Sequence, residues 1–239
     1  GEDVTSLAVG DRVAWADAPG SYATRVIVKA DRALPIPDHV PDDVAAALPL
    51  QGLTAHYLAT STYPVQAGDD VLVHAGAGGV GLLLTQLATA RGARVISTVS
   101  SAHKEDLARE AGAAVVIRYD QLSDLAQELP ALVRSASDGR GVAVAYDGVG
   151  RATFDASLAS LRRRGMLVLF GGSSGQVPPV DLQRLNAGGS LFVTRPTLAD
   201  YTATPQELSA RAHELFSAVA DGALTLHIGA RFDLGDAAA

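Results

Sequence analysis

Between the short apolar run Val71-Leu72-Val73-His74 and a leucine-rich stretch lies the segment Ala75-Gly76-Ala77-Gly78-Gly79-Val80-Gly81. Gly76, Gly78 and Gly81 satisfy G-x-G-x-x-G, with a strand pattern before the loop and a helix pattern after it. Val80, Leu83, Leu84 and Leu87 fall at i, i+3, i+4 and i+7, so they share one face of that helix. In this setting the first glycine permits a tight turn and the second lets backbone approach a diphosphate. The third allows the helix to pack close to the strand. The helix N-terminus adds unpaired N–H groups and a partial positive charge. A glycine-rich turn without a ligand is the competing interpretation, and the strand–loop–helix placement favours a dinucleotide.

The same alternation runs on. Strand candidates are residues 71–74, 93–100, 113–119, 142–147, 166–171 and 190–195, with helical patterns between them. Their nearly continuous apolarity suits strands covered on both faces. Strict alternation predicts an α/β fold with a doubly wound parallel sheet of the Rossmann type. The flanks read differently. Residues 1–50 carry several Pro and Gly, and Ala23 to Val28 reads as a short alternating strand. Pro35, Pro37 and Pro41 precede a helix expected from about Asp42. Further on, Thr204-Pro205-Gln206-Glu207 forms a capping box with proline at the first helical position. Leu208, Ala212, Leu215, Phe216 and Val219 supply a buried stripe, and Gly222 is placed to end the helix.

Composition excludes several classes of function. Of 239 residues 48% are hydrophobic, enough for a substantial core, and the formal net charge of −7 argues against nucleic-acid binding. No uninterrupted apolar run reaches membrane-spanning length, and the acidic N-terminus does not read as a secretory signal. A cytoplasmic protein is the expectation. With no cysteine there is no disulfide, no thiolate nucleophile and no cysteine-held zinc. His39, His56, His74, His103, His213 and His227 form no i, i+4 pair, so a zinc alcohol dehydrogenase is excluded on chemistry.

The second strand bears on which dinucleotide is bound. A site for NAD would place Asp or Glu about 20 residues beyond the first glycine, to meet the ribose 2′-OH. That count lands at Ile96, and Ser97, Thr98, Ser100, Ser101 and Lys104 all come before the first carboxylate, Glu105. Hydroxyls with an ammonium can hold a 2′-phosphate, whereas a carboxylate would repel it. Lys104 could also be a solvated residue opening a helix, but a cation is disfavoured there by the helix dipole. The expectation is NADPH.

The segments QGLTAHYLA, VLVHAGAGGVGLLLTQLA, STVSSAHK, YDGVG, LRRRGMLVLFGGSSG and GGSLFVTRP, taken in order, resemble the quinone oxidoreductase branch of the medium-chain dehydrogenase/reductase superfamily, the zeta-crystallin-like, zinc-free reductases. The resemblance spans nearly the whole chain. It implies a partial GroES-like β-rich catalytic domain over 1–48, a Rossmann domain over 49–196, and a helix returning toward the catalytic domain over 197–239. It also implies a homodimer and a metal-free reduction of quinones, or similar conjugated carbonyls, by NADPH. By the same resemblance Thr54 faces the nicotinamide side, and Gly76, Ala77, Gly78, Gly79, Val80 and Gly81 hold the pyrophosphate. Ser100, Ser101, Lys104 and Tyr119 surround the 2′-phosphate. Phe170, Gly171 and Ser173 run beside the nicotinamide ribose and ring, and Thr194 and Arg195 close that end. Tyr119 could equally be packing, since an aromatic often ends a strand. No catalytic residue is named; His56 and Tyr57 read as helix packing.

The glycine loop starts about 75 residues in. The first part of the GroES-like fold and its last strands after Ala239 are therefore expected to be absent and the chain to be a fragment, because residues 1–30 would otherwise expose strand edges. Gly171-Gly172-Ser173-Ser174-Gly175 spells the G-x-S-x-G of a hydrolase elbow, but the following Gln-Val-Pro-Pro cannot start the required helix. A non-catalytic NADPH-binding module competes with the quinone reductase, as does an NADPH-dependent enone or enoyl reductase on the same scaffold. Arg162, Arg163 and Arg164 read as the end of a helix before Gly165, and residues 137–141 as a plain loop. The 190–195 segment reads as an edge strand able to pair with its twin.

Overall fold

The computed structural model describes residues 3–237; Gly1, Glu2, Ala238 and Ala239, with which the first and last domain expectations begin and end, lie outside the described residues. The chain divides into two units, Gly1–Thr54 with Leu198–Ala239, and Ala55–Thr197.

The second unit is built on a six-stranded sheet. Its strands are β3 (Asp70–Val73), β4 (Arg94–Val99), β5 (Val115–Arg118), β6 (Val142–Asp147), β7 (Leu161–Leu169) and β8 (Phe192–Thr194). They follow the short β1 (Val13–Ala14) and β2 (Leu34–Pro35) of the first unit. The order across the sheet is β5-β4-β3-β6-β7-β8, and every pairing is parallel. This is the doubly wound arrangement, with its switch of direction between β3 and β6, and ligands of such sheets bind outside the carboxyl ends of the strands at that switch. The expected strands are present: β6 keeps its expected bounds, β3 is shifted by one residue, β4, β5 and β8 are shorter than expected, and β7 starts five residues earlier and ends two earlier.

Apolarity on both strand faces has a visible cause. Leu72, Ile96, Ala145 and Leu167 are buried in one cluster with Leu129 and Val133 of α4 (Leu125–Ala136) and Phe154, Ala156 and Leu158 of α5 (Phe154–Ala159). The alternate residues Val71, Val73 and Val95 are buried too. Helices α2 (Gly79–Ala90) and α3 (Ala102–Glu110) pack against β3, β4 and β5. In α2, Leu83, Leu84 and Leu87 are buried, as their spacing requires. The short α6 (Gln183–Ala187) precedes β8, which is the edge strand.

One expectation fails here. Arg162–Arg164 do not end a helix: α5 stops at Ala159, and these arginines lie in β7, where the register jumps between Val142↔Leu161 and Val144↔Met166. Between those pairs Arg162, Arg163, Arg164 and Gly165 stand opposite Ala143 alone, with the three arginines exposed and Gly165 buried. Arg162 spans to Asp69 at 3.2 Å, and the end of α5 is met by Arg134, which donates to the Ala159 carbonyl at 2.7 Å. Sequence places a basic cluster at a helix end by dipole logic; the helix has its cation, but from a different element.

In the first unit β1 and β2 form an antiparallel pair. The strand expected over Ala23–Val28 is absent, and the backbone there takes bends without a partner strand. α1 (Asp42–Tyr57) starts at the expected aspartate. After α7 (Leu198–Tyr201) comes α8 (Pro205–Ala220), which carries the complete capping box of Thr204 and Glu207, and Gly222 follows it at φ +70°. Leu208, Ala212, Leu215 and Phe216 are buried and Val219 is half-buried. Arg12 knits the entry to α1, donating to the Val40 carbonyl at 2.6 Å and pairing with Asp42.

Candidate dinucleotide site

The loop that leaves β3 is shaped by contacts within the chain. His74 continues the sheet by donating its N–H to the Tyr146 carbonyl at 3.0 Å, and Ala75 then turns at φ +51°. The Gly76 N–H donates to the Thr98 carbonyl at 3.0 Å. A Cβ at Gly76 would stand 1.6 Å from the Ser97 Oγ, and one at Gly81 would stand 2.4 Å from the Ala75 carbonyl oxygen. Both glycines are therefore fixed by packing inside the protein. Gly78 differs: its Cβ would meet only the Ala75 oxygen, at 3.2 Å. Its other side is open, as close approach of a ligand to backbone requires. Gly78 is also the N-cap of α2, and no side chain caps that helix. The N–H groups of the first turn are thus left for an anion.

At the ends of β4 and β5 the register sets Val99 opposite Arg118, so Ser100 and Tyr119 leave adjacent strands together. The Lys104 ammonium donates to the Ser100 hydroxyl at 3.0 Å, and Ser101 caps α3 by accepting from the Lys104 N–H. Lys104 and Tyr119 are exposed. The nearby carboxylates are engaged elsewhere. Glu105 accepts from Arg109 at 2.7 Å, and Asp120 is gripped by Arg118 at 2.7 Å, which holds its carboxyl below the usual range.

The third cluster lies beyond β6 and β7. The Phe170 N–H donates to the Asp147 carbonyl at 2.9 Å, and the Ser174 N–H donates to the Val149 carbonyl at 2.8 Å. A Cβ at Gly171 would stand 2.4 Å from the Gly148 carbonyl oxygen, and one at Gly148 would stand 2.9 Å from the Phe170 ring. Glycine on both sides lets the two loops touch backbone to backbone. Ser173 is exposed, Phe170 and Thr194 are half-buried, and exposed Arg195 donates to the Pro196 carbonyl at 3.4 Å. Thr54 belongs to the first unit, where its hydroxyl donates to the Leu50 carbonyl at 2.7 Å. Within the second unit, then, residues 76–81, the Ser100–Ser101–Lys104–Tyr119 group and Phe170–Ser173 each form a local cluster at the carboxyl ends of the strands.

Known proteins share this fold. The family model described as zinc-binding dehydrogenase matches residues 79–216. The quinone oxidoreductase of Pseudomonas aeruginosa is 42% identical over 239 residues, covering 100% of this chain and 72% of its own length. The chain belongs to the quinone oxidoreductase branch of the medium-chain dehydrogenase/reductase superfamily. Among solved relatives, mycobacterial Rv1454c complexed with NADPH superposes with a TM-score of 0.93 at 54% identity, over 97% of this chain and 70% of that one. The Escherichia coli quinone oxidoreductase complexed with NADPH gives 0.90 at 42% identity, over 96% of this chain and 69% of that one.

For this quinone oxidoreductase relative, the residues present fit NADPH. The open side of Gly78 can take a diphosphate, and Lys104 with Ser100 offers a cation and a hydroxyl where an NAD site would carry an acid. They do not fit a zinc ion. The chain has no cysteine, and among the described residues no group of three His, Asp or Glu side chains could hold a metal. Sequence reading missed one feature of the site. Buried Asp147, in the Tyr-Asp-Gly-Val-Gly segment, and His74, directly after β3, face one another through Ser157. The only signal for it was a histidine and an aspartate at the ends of strands otherwise made of apolar residues.

Proposed function

We propose that the protein reduces quinones by hydride transfer from NADPH without a metal. The observation that carries this reading is the pairing of an open glycine cradle at the start of α2 with the Lys104–Ser100 contact at the end of β4. The backbone of Gly76, Ala77, Gly78, Gly79, Val80 and Gly81 holds the pyrophosphate against the helix N-terminus. Ser100, Ser101, Lys104 and Tyr119 hold the 2′-phosphate. Phe170, Gly171 and Ser173, with Thr194 and Arg195, flank the nicotinamide end, and Thr54 remains assigned to the nicotinamide side. When bound, the cofactor supplies the hydride, and the protein fixes its orientation against the acceptor. The reduced quinone oxygens take protons from water, so no side-chain acid is required.

The proposed partition is a partial GroES-like domain over 1–48, the Rossmann domain over 49–196 and a return segment over 197–239. A homodimer is supported by β8, an edge strand with Phe192 and Val193 exposed by 54% and 39%. Among the described residues no helix is long and apolar enough to cross a membrane. The cytoplasm is the proposed compartment, where an NADPH-fed reductase would draw its reductant.

Loss of NADPH absorbance on adding 1,4-benzoquinone, with hydroquinone as product, tests the reading. NADPH that binds but is oxidised by neither a quinone nor an enone would make the protein a binding module. A higher kcat/KM for a 2-enoyl thioester than for benzoquinone would make it an enoyl reductase.

A further inference from the structure

A buried chain of side chains links the glycine loop to the Phe170–Ser173 cluster. The Thr98 hydroxyl lies 2.9 Å from His74 Nδ1, and His74 Nε2 lies 2.9 Å from the Ser157 Oγ. The Ser157 hydroxyl donates to Asp147 Oδ2 at 2.7 Å. That hydroxyl has one proton, shared between Asp147 Oδ2 and the Thr153 carbonyl at 2.9 Å. It therefore accepts from His74, and the histidine is the Nε2–H tautomer with Nδ1 accepting from Thr98. Burial, which outweighs the nearby Asp147 carboxylate, holds the His74 pKa below its ordinary value and keeps the ring neutral. Asp147 Oδ1 accepts from the Val149 and Gly150 N–H groups, each at 2.9 Å, and from the Thr153 hydroxyl at 2.8 Å. Thr98, His74, Ser157 and Asp147 are all buried.

Burying a carboxylate is costly unless every lone pair is used, and apolar residues would fill the same space more cheaply. What the network accomplishes is geometric. Asp147 fixes the backbone of the Gly148–Gly150 turn, and that turn is in contact with Phe170 and Gly171 without intervening side chains. At the other end, His74 directly precedes the glycine loop, and the Thr98 carbonyl receives the Gly76 N–H. We propose that Asp147, through Ser157 and His74, is a positioning residue that holds the Gly148–Gly150 turn and the Phe170–Ser173 segment in register with the glycine loop. The spacing between the pyrophosphate and nicotinamide ends of a bound dinucleotide is set by these buried contacts. The inference rests on the proposed binding of NADPH.

The test compares the wild type with Ser157→Ala, which cuts the link, and Asp147→Asn, which keeps an acceptor for the turn's N–H groups. Three quantities are measured for each: kcat with NADPH and 1,4-benzoquinone, the Kd for NADPH, and the Kd for 2′,5′-ADP, which carries the 2′-phosphate but no nicotinamide. Ser157→Ala is expected to lower kcat at least tenfold and to weaken NADPH several-fold, with 2′,5′-ADP affinity within twofold of wild type. Asp147→Asn is expected to show the same pattern at smaller size, and it carries the test alone if Ser157→Ala does not fold. Wild-type kcat and NADPH affinity in the folded variants would overturn the proposal. So would an equal loss of NADPH and 2′,5′-ADP binding, which marks general loosening. Failure of the functional reading shows separately, as a wild-type protein that does not oxidise NADPH with benzoquinone, and it removes this proposal as well.

Discussion

Gly76 and Ser97 share a space that admits only one side chain: a Cβ on the glycine would stand 1.6 Å from the serine Oγ and 3.0 Å from its Cβ. The Ser97 hydroxyl is fully buried and has no hydrogen-bond partner among the described residues. Gly76→Ala is therefore expected to destabilise the fold by about 1–3 kcal/mol through overpacking. Ser97→Gly in the same chain should restore most of that loss. Ser97→Ala alone removes an unsatisfied buried hydroxyl and should raise stability by about 1 kcal/mol. Urea unfolding of the four variants checks the cycle, and additive effects of Gly76→Ala and Ser97→Gly would show that the two residues do not compete for this space.

The Lys104 ammonium, 3.0 Å from the Ser100 hydroxyl, is the cation of the proposed 2′-phosphate site. A charge-assisted hydrogen bond is worth about 1.5–3 kcal/mol, which is tenfold or more in affinity. Lys104→Glu should weaken NADPH by at least tenfold while leaving NADH within a few-fold, as read by fluorescence titration. NADH binding the unmodified protein as tightly as NADPH would defeat the assignment.

Tyr146 crosses from β6 to the π-helical turn at Leu58–Thr62, donating its hydroxyl to the Leu58 carbonyl at 3.0 Å with the Tyr63 carbonyl at 3.2 Å. Burial pushes its pKa far above the ordinary tyrosine value, so the phenol stays protonated and remains a donor. Tyr146→Phe leaves those carbonyls without that donor and is expected to cost about 1–2 kcal/mol in chemical denaturation. An unchanged midpoint would mean that solvent replaces the bond.

What could be read from the sequence was what local chemistry decides. The glycine loop is local because Gly76, Gly78 and Gly81 are all needed close to the strand that precedes them. The Thr204–Glu207 capping box likewise needs only its own turn. Long-range register was not legible. Whether Arg162–Arg164 end a helix or bulge from a strand depends on how β7 meets β6. The Ala23–Val28 alternation has no strand beside it in the described structure, and alternation alone cannot supply one. Asp147 and His74 are 73 positions apart in the chain, and the hydroxyl between them comes from α5. A polar residue at the end of an apolar strand is a signal that something holds it, but not what.

His74 also makes stability depend on pH in a defined direction. Its pKa in the folded protein lies below the ordinary 6.5, because burial disfavours the imidazolium more than Asp147 favours it. In the unfolded chain the ring titrates near 6.5. Below about that pH the unfolded state binds the extra proton, so stability falls as pH drops, by at most about 1.4 kcal/mol per unit for one group. Above about pH 7.5 the ring is essentially neutral in both states and contributes no slope. The carboxyls of Asp43 and Asp120, held below 3.8 by Arg231 and Arg118, act in a more acidic window. His74→Gln keeps an amide able to donate toward Ser157 but cannot titrate. It should be less stable than wild type at about pH 7.5, with a shallower decline between about pH 6.5 and 5. Parallel stability curves for the two proteins over that interval would show that the buried ring is not the group responsible.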